Sequence, residues 1–405
     1  MIPIFLVLLA MSMSVLVWVG VEQTCRTRFS EGCVRSELAM RAPERDADMD
    51  VPGFQAENGM LVGGQNGTWF EGGQFPRLYQ ISLENDSYVQ LDPVHSGGAV
   101  WGGGFNGTQL LVSGWGSDDG SQGPYIWLYD GAQVVTKGSL DYGQAASWDG
   151  GDVFAASYNG KDWLLTGLGS GPLPTYSNGA TNHMALGTFN GSAFTDLSAL
   201  VPHQQDAILY TNAWNGRYWL VGGGYQSTGV LFTLNGTTTV DLTKQITTAI
   251  RSFASVQTLA WNGQYWLIGG IGFLAKYDGH SFVDLTQQLT DSLSPDFQSV
   301  NAIAWYGQSW MIGGGTPIAQ ITTGNAWIAS YDSAVLVNLS SVLPFSVIRR
   351  EEASSILAMA AENGMWILGG YSGNHGILFA YDEGLLTDYS SLVRQFTYVN
   401  WVSAI

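Results

Sequence analysis

Residues 258–285 read TLAWNGQYWLIGGIGFLAKYDGHSFVDL, and their pattern recurs in weaker copies from near residue 58 to the C-terminus. Within this stretch 259–261 is a short apolar run, Asn262-Gly263 a turn dipeptide and 265–268 a second apolar run rich in β-formers. That is a hairpin. Asn and Gly tolerate the positive φ that a type I′ turn needs at both central positions, and the twist of that turn suits the strands it joins. Gly269-Gly270 ends the second strand, 273–277 makes a third, Asp278-Gly279 turns again and 281–285 makes a fourth. The sequence therefore predicts a four-stranded antiparallel meander.

The first turn glycine can be followed at Gly59, Gly107, Gly160, Gly216, Gly263, Gly307 and Gly364, at intervals of 48, 53, 56, 47, 44 and 57 residues. The strand after it reads MLVGG at 60–64, LLVSG at 110–114, LLTG at 164–167, WLVGG at 219–223, WLIGG at 266–270, WMIGG at 310–314 and WILGG at 366–370. One copy cannot bury its own sheet faces, so the copies must stack, and four strands per copy point to propeller blades. A right-handed solenoid is the alternative; the tight turns at one end of each strand pair disfavour it. The expected fold is all-β, a seven-bladed β-propeller of four-stranded antiparallel blades over residues 58–405. The C-terminal run YVNWVSAI at 398–405 copies a first strand and stops. The first unit lacks a good first strand, since 51–56 contains Pro52 and Gly53. Pairing these two ends closes the ring and covers a sheet edge.

The repeat resembles the kelch family, related in architecture to the propeller of galactose oxidase. The resemblance lies in the apolar strand ending in Gly269-Gly270, Tyr277 in the third strand, the aromatic Phe282 in the fourth and a Leu three residues on. It covers roughly residues 58–405. Kelch units usually carry Trp where this chain has Phe282, Phe194 or Val240.

Residues 2–21, IPIFLVLLAMSMSVLVWVGV, are uncharged and mostly apolar, long enough to cross a bilayer as a helix. A secretory signal is the alternative. The run exceeds the usual ~7–15 residues, no Lys or Arg precedes it and no small-x-small cleavage site is plain, which favours an uncleaved anchor. Arg26, Arg28, Arg35, Arg41 and Arg45 follow the segment. The positive-inside rule would place that side in the cytoplasm, against an external propeller. Residues 22–57 form a linker of mixed charge. It holds the two cysteines, Cys25 and Cys33, which in an oxidising space would close a small disulfide loop or pair between chains. Asp46, Asp48 and Asp50 alternate as in a calcium loop, but the Gly and distant Glu of that motif are missing, so no metal site is expected.

Residues 51–405 carry 10 Lys+Arg against 26 Asp+Glu, a net of −16. Such a surface repels nucleic-acid phosphates, and nucleic acid is excluded as a partner. Asn66, Asn85, Asn106, Asn190, Asn235 and Asn338 head Asn-x-Ser/Thr sequons. Turn chemistry alone explains Asn-Gly, yet Asn85, Asn106, Asn190 and Asn235 map to accessible turns, and export would make these glycosylation sites.

The second-to-third and fourth-to-first connections vary in length and share one end of the blades, where binding is usually placed. They bring Trp69; Trp115, Asp118 and Asp119; Tyr176 and His183; Tyr225; and Tyr371 and His375 to that face. Aromatics with nearby carboxylates and amides suit sugar rings. Trp214, Trp219, Trp261, Trp266, Trp305, Trp310 and Trp366 recur at fixed repeat positions and are assigned to packing between blades. Arg349 stands in Arg349-Arg350-Glu351-Glu352, where it either neutralises the Glu pair or holds a carboxylate of a ligand or partner.

Enzyme signatures mostly fail. A copper radical site needs a Cys cross-linked to Tyr, and no Cys lies in the propeller. His95, His183, His203, His280 and His375 have no metal-ligand spacing. No Gly loop precedes a helix to cradle phosphate. No cofactor is expected. The expectation is a cell-surface or secreted binding module for glycan or protein, anchored to the membrane by its N-terminal segment. A polysaccharide hydrolase or lyase at the same face, and a structural envelope or filament component, are the alternatives.

Overall fold

The computed structural model describes residues 59–404 apart from 67–74, 84–85, 92–96, 119–120, 131–133, 140–147, 149–150, 170–182, 203–206, 226–227, 294–296, 317–323, 345, 349–351 and 363. The N-terminal apolar segment, the linker and its two cysteines lie outside these residues. Among the described residues no helix is long and apolar enough to cross a membrane.

The repeat around Asn262 folds as a meander of Val256–Trp261, Trp266–Gly270, Phe273–Tyr277 and Phe282–Asp284, paired antiparallel in that order. Four-stranded meanders with the same order begin at Gly97–Phe105, Asp152–Tyr158 and Ile208–Trp214. Two more, beginning at Ser299–Tyr306 and Ser354–Glu362, are joined into one larger sheet by a single pairing of Gly315 with Ser355. In the remaining sheet Gly59–Asn66 lies between Phe75–Ser82 and the C-terminal strand Tyr398–Ala404, with Met60 opposite Ala404 and Val62 opposite Val402. Residues from all the first strands, Tyr398–Ala404 included, line one common cavity. The sheets therefore stand around it edge-inward, the architecture of a β-propeller.

The first turn is built one residue differently from the expected type I′. Asn262 has no positive φ, whereas Gly263 has φ +93°. Glycine thus takes the first central position, as type II′ geometry requires. Asn262 precedes it and its Oδ1 accepts the N–H groups of Gln264 at 3.0 Å and Tyr265 at 2.9 Å. A side chain that satisfies two loop donors explains why Asn, rather than any turn-former, recurs there.

The Gly pair after the second strand has two separate causes. A Cβ on Gly269 would stand 2.4 Å from Val300 Cγ1 in the first strand of the next meander. A Cβ on Gly270 would stand 2.1 Å from the Ser255 carbonyl of its own sheet. The first glycine admits the neighbouring sheet and the second admits the neighbouring strand, so both positions exclude side chains.

Packing is between adjacent meanders. Leu220 and Leu231 of one share a core with Trp266 and Ile268 of the next, and Leu267 and Leu274 share one with Trp310 and Ile312. Of the recurrent tryptophans, Trp266 and Trp310 sit in these shared cores, whereas Trp261 and Trp305 pair with them inside their own meanders, at 5.1 Å and 4.9 Å between ring centres. Trp310 Nε1 donates across the interface to Tyr265 Oη at 2.9 Å, and Lys276 Nζ sits 3.9 Å over the Tyr265 ring.

Five of the fourth strands end in a related motif, Asp-Leu-Ser/Thr or its variants Asn338-Leu339-Ser340 and Asp388-Tyr389-Ser390. Asp196, Asp241 and Asp284 accept the N–H two residues on, at 2.9 Å in each case, and Asn338 and Asp388 do the same at 2.8 Å. The hydroxyl of that Ser or Thr bonds back to the third strand, as Thr286 does at Leu274. The intervening residue is buried at Leu242 and Leu285 and half-buried at Leu197, Leu339 and Tyr389. Two short helices, Thr243–Ala249 and Thr286–Leu293, follow this motif and depart from an all-β chain.

Candidate functional site

Every first strand carries a β-bulge at the same place. The register skips one residue after Val100, Val153, Leu209, Val256, Val300 and Ile356, and shifts between Trp401 and Val399 in the C-terminal strand. The residues left without a pairing partner are Trp101, Phe154, Tyr210, Gln257, Asn301, Leu357 and Asn400. A bulge frees its extra residue from the ladder and re-aims its side chain. Here Trp101, Phe154, Gln257, Asn301, Leu357 and Asn400 all line the central cavity, which has a volume of about 260 Å³.

The ring they make has two kinds of wall. Trp101 stacks on Phe154 with centroids 5.2 Å apart, and Phe154 meets Tyr210 edge-on at 5.4 Å. These three come from successive sheets and form an aromatic arc, of which Trp101 and Phe154 line the cavity, facing Gln257, Asn301, Leu357 and Asn400. Two residues further along the strands a second tier lines the cavity: Gly103, Ala156, Asn212, Leu259, Ile303, Met359 and Val402. Its small members lie beneath Trp101 and Phe154 and its large apolar ones beneath the amide arc.

Hydrogen bonds fix most of the amides. Asn301 Nδ2 donates to Ser355 Oγ at 2.7 Å, and its Oδ1 accepts from Ser299 Oγ at 2.6 Å, so it ties two first strands together. Asn400 Nδ2 reaches the Val100 carbonyl at 3.1 Å. Asn212 donates to Thr166 Oγ1 at 2.8 Å and accepts from Ser157. Among the described residues the Gln257 side chain bonds only to the residue just before its strand, Nε2 donating to Ser255 Oγ at 3.0 Å. Among the described residues nothing donates to its Oε1.

No Asp, Glu, Lys, Arg or His is among the described residues that line the cavity. The nearest acid in sequence to the aromatic arc is Asp152, which opens the strand Asp152–Tyr158 two residues before Phe154. Burial without a compensating charge pushes its carboxyl up to about 7. Tyr210 is pushed up to about 12, first by burial and then by the hydroxyl of Tyr225.

Of the residues expected at the variable face, Trp69, Asp119, Tyr176 and Arg349 lie outside the described residues. Tyr225 ends the strand Trp219–Tyr225 and is 52% exposed. Trp115 is half-buried and pairs with Ala99 and Pro124, and Asp118 ends the same strand opposite Ser121. His183 is buried at the start of His183–Phe189. Tyr371 is buried edge-on against Tyr398, centroids 4.8 Å apart, and burial pushes its hydroxyl up to about 12. His375 is exposed at the start of His375–Asp382. Among the described residues no group of His, Cys, Asp and Glu has metal-binding geometry.

Asn106, Asn190 and Asn235 stand at strand-joining turns. In the first two, Oδ1 accepts the hydroxyl of the sequon Thr108 or Ser192 at 3.0 Å. Asn338 donates Nδ2 to the Ser292 carbonyl at 3.0 Å, Asn66 ends its strand, and Asn85 is outside the described residues.

The bulge residues were absent from the sequence-based expectation. A signal for them exists. Trp101, Phe154, Tyr210, Gln257 and Asn301 each stand six residues before a turn glycine, and the residue after each is Gly, Ala or Thr. A column that switches between aromatic and amide beside a column of small residues marks a position the fold does not dictate.

The strand order and the shared cavity define a β-propeller. No family model matches the sequence, and no curated protein matches it. Solved structures similar to the chain include the β-propeller domain of the trilobed protease from Pyrococcus furiosus, at 8% identity over 82% of this chain and 92% of that one, TM-score 0.46. A putative 6-phosphogluconolactonase from Bacteroides uniformis is 13% identical over 87% of this chain and 100% of that one, TM-score 0.48. The acylaminoacyl peptidase of Pyrococcus horikoshii is 12% identical over 84% of this chain, TM-score 0.46, and the chain spans about half (52%) of that enzyme's length.

Proposed function

We propose that the chain is a seven-bladed, kelch-like propeller, closed by its C-terminal strand in blade one, that works as a binding module for a glycan or a protein. The ligand is taken at the variable-loop face and the adjoining mouth of the central cavity. Residues 2–21 anchor the module to a membrane with the propeller outside the cell, or are removed on secretion. Export would make the sequons at the turns sites of glycosylation and the Cys25–Cys33 pair a disulfide. The observation that carries the reading is the bulge ring. Its residues are released from strand pairing, differ in chemistry from blade to blade, and six of the seven line one cavity. A glycan is favoured over a protein because an aromatic arc facing amides matches the apolar face and hydroxyl edge of a sugar.

A hydrolase acting on polysaccharide is the second reading. Asp152, with a carboxyl held near 7, has the protonation of a general acid. Neither it nor any other carboxylate is among the described residues lining the cavity, so binding ranks first.

The test is a glycan array probed with the labelled 405-residue chain and with a Tyr225→Ala, His375→Ala double variant of it. Binding to defined glycans that the variant loses supports recognition at the variable face. Binding unaffected by the variant, or none at all, refutes it. Release of reducing ends from a bound polysaccharide, lost in Asp152→Asn, would replace it with the hydrolase reading. Intact mass before and after glycosidase treatment tests the external placement separately.

A further inference from the structure

We infer that the central cavity is a subsite for one uncharged pyranose ring, stacked on the Trp101 and Phe154 arc and hydrogen-bonded by Gln257. This rests on the glycan-binding reading above and goes further by naming the pocket and the ligand's charge.

Charge decides first. The chain carries a formal net charge of −18, yet no described residue lining the cavity is ionisable. A charged ligand entering it would lose hydration and meet no counter-ion, which is strongly unfavourable. Uronic acids, sialic acids, phosphosugars and amino sugars are therefore excluded by the same feature that admits neutral hexoses.

Shape comes next. Trp101 and Phe154, centroids 5.2 Å apart and planes inclined by 30°, together give the cavity an apolar aromatic wall on one side. The C–H face of a pyranose covers such a wall without desolvating its hydroxyls, which point outward around the ring edge. Across the cavity, Gln257 Oε1 has no donor among the described residues, and its position on an unpaired bulge leaves it free of ladder constraints. A sugar hydroxyl donates to this acceptor on the cavity wall. The volume, about 260 Å³, lies just below the ~300–1,000 Å³ usual for small-molecule pockets, which suits one ring and not a folded peptide segment. Leu259, Ile303 and Met359 in the second tier set an apolar floor, so recognition is confined to the upper tier and the sugar enters from the variable face.

The test titrates the 405-residue chain with methyl pyranosides of gluco, galacto and manno configuration and with the matching uronic acids. Tryptophan fluorescence and calorimetry report binding to the wild type and to Trp101→Ala, Trp101→Phe and Gln257→Leu. Thermal melts confirm that each variant is folded. At least one neutral pyranoside is expected to bind, with its uronic acid weaker by about tenfold or more, equivalent to at least ~1.4 kcal/mol. Trp101→Ala should abolish the signal, Trp101→Phe should restore most of it, and Gln257→Leu should weaken binding about tenfold. Equal binding of neutral and acidic sugars, or binding that survives Trp101→Ala in a folded protein, overturns the cavity assignment. If the glycan array is positive while every monosaccharide fails here, the binding module stands and this subsite falls. If the array is also negative, the glycan reading falls with it.

Discussion

Replacing Asp152 by Asn should stabilise the protein at alkaline pH and leave it nearly unchanged in acid. The residue sits at the head of an inner strand, partly buried, with no ion pair or hydrogen bond to its carboxyl among the described residues. Its carboxyl rises from 3.8 to about 7 because burial penalises the charged form. Below pH ~4 the folded and unfolded chains both hold the proton and Asp152 costs nothing. Between ~4 and ~7 the unfolded chain ionises while the folded one does not, so stability falls as pH rises, by about 1.4 kcal/mol per pH unit. Above ~7 both states are ionised and the loss is complete, at about 4 kcal/mol. Part of the residue remains exposed, and solvent screening reduces this to about 2 kcal/mol. Asn has the same shape and no charge. Urea unfolding of both proteins at pH 4, 6 and 8, followed by tryptophan fluorescence, gives the difference directly, because other carboxylates cancel in the comparison. The gap should open from near zero at pH 4 to about 2 kcal/mol in favour of the variant at pH 8. A gap that is constant with pH, or that favours Asp152 at pH 8, refutes the assignment of an unpaired buried carboxyl.

Gly269→Ala should cost about 1–3 kcal/mol by forcing Val300 aside, and Gly270→Ala more, since the Ser255 carbonyl that it meets is backbone; melting temperatures order the two. Tyr265→Phe leaves the buried Trp310 indole N–H without its acceptor and should cost about 1–3 kcal/mol, part of which returns when Trp310→Phe is added in a double-mutant cycle. Removing residues 398–405 exposes the core that Val399 and Val402 fill, and should lower stability by at least about 3 kcal/mol; an unchanged melt would refute closure by this strand. Asp284→Ala deprives the Thr286 N–H of its acceptor and should cost about 0.5–2 kcal/mol in urea unfolding.

The meanders were legible because each reports itself twice, in period-two apolar runs and in turn glycines that L-residues replace only with strain. Trp266 and Trp310 could be assigned to packing for the same reason: a residue that recurs at a fixed repeat position answers to the scaffold. The turn register was misread by one residue. Asn-Gly fits type I′ and type II′ loops equally well in sequence, and only the Asn262 side chain bonding forward distinguishes them. The bulge was hidden for a different reason. It is a property of pairing between strands, and nothing in Val256-Gln257-Thr258 says that Gln257 is skipped. The helix over 286–293 is hidden in the sequence because its start signal, Asp284 followed by Thr286, is also the end of a strand.

A residue outside the ladder owes nothing to the strands beside it. Each repeat thus contains one address whose letter can be rewritten while the glycine pair, the turn and the tryptophans around it stay fixed. Selection acting on Trp101, Phe154, Tyr210, Gln257 and Leu357 can change the chemistry at the hub without renegotiating the fold. Asn301 and Asn400 also fasten neighbouring strands and are less free to vary. Shuffling the unfastened letters in a library would sample new ligands on an unaltered wheel.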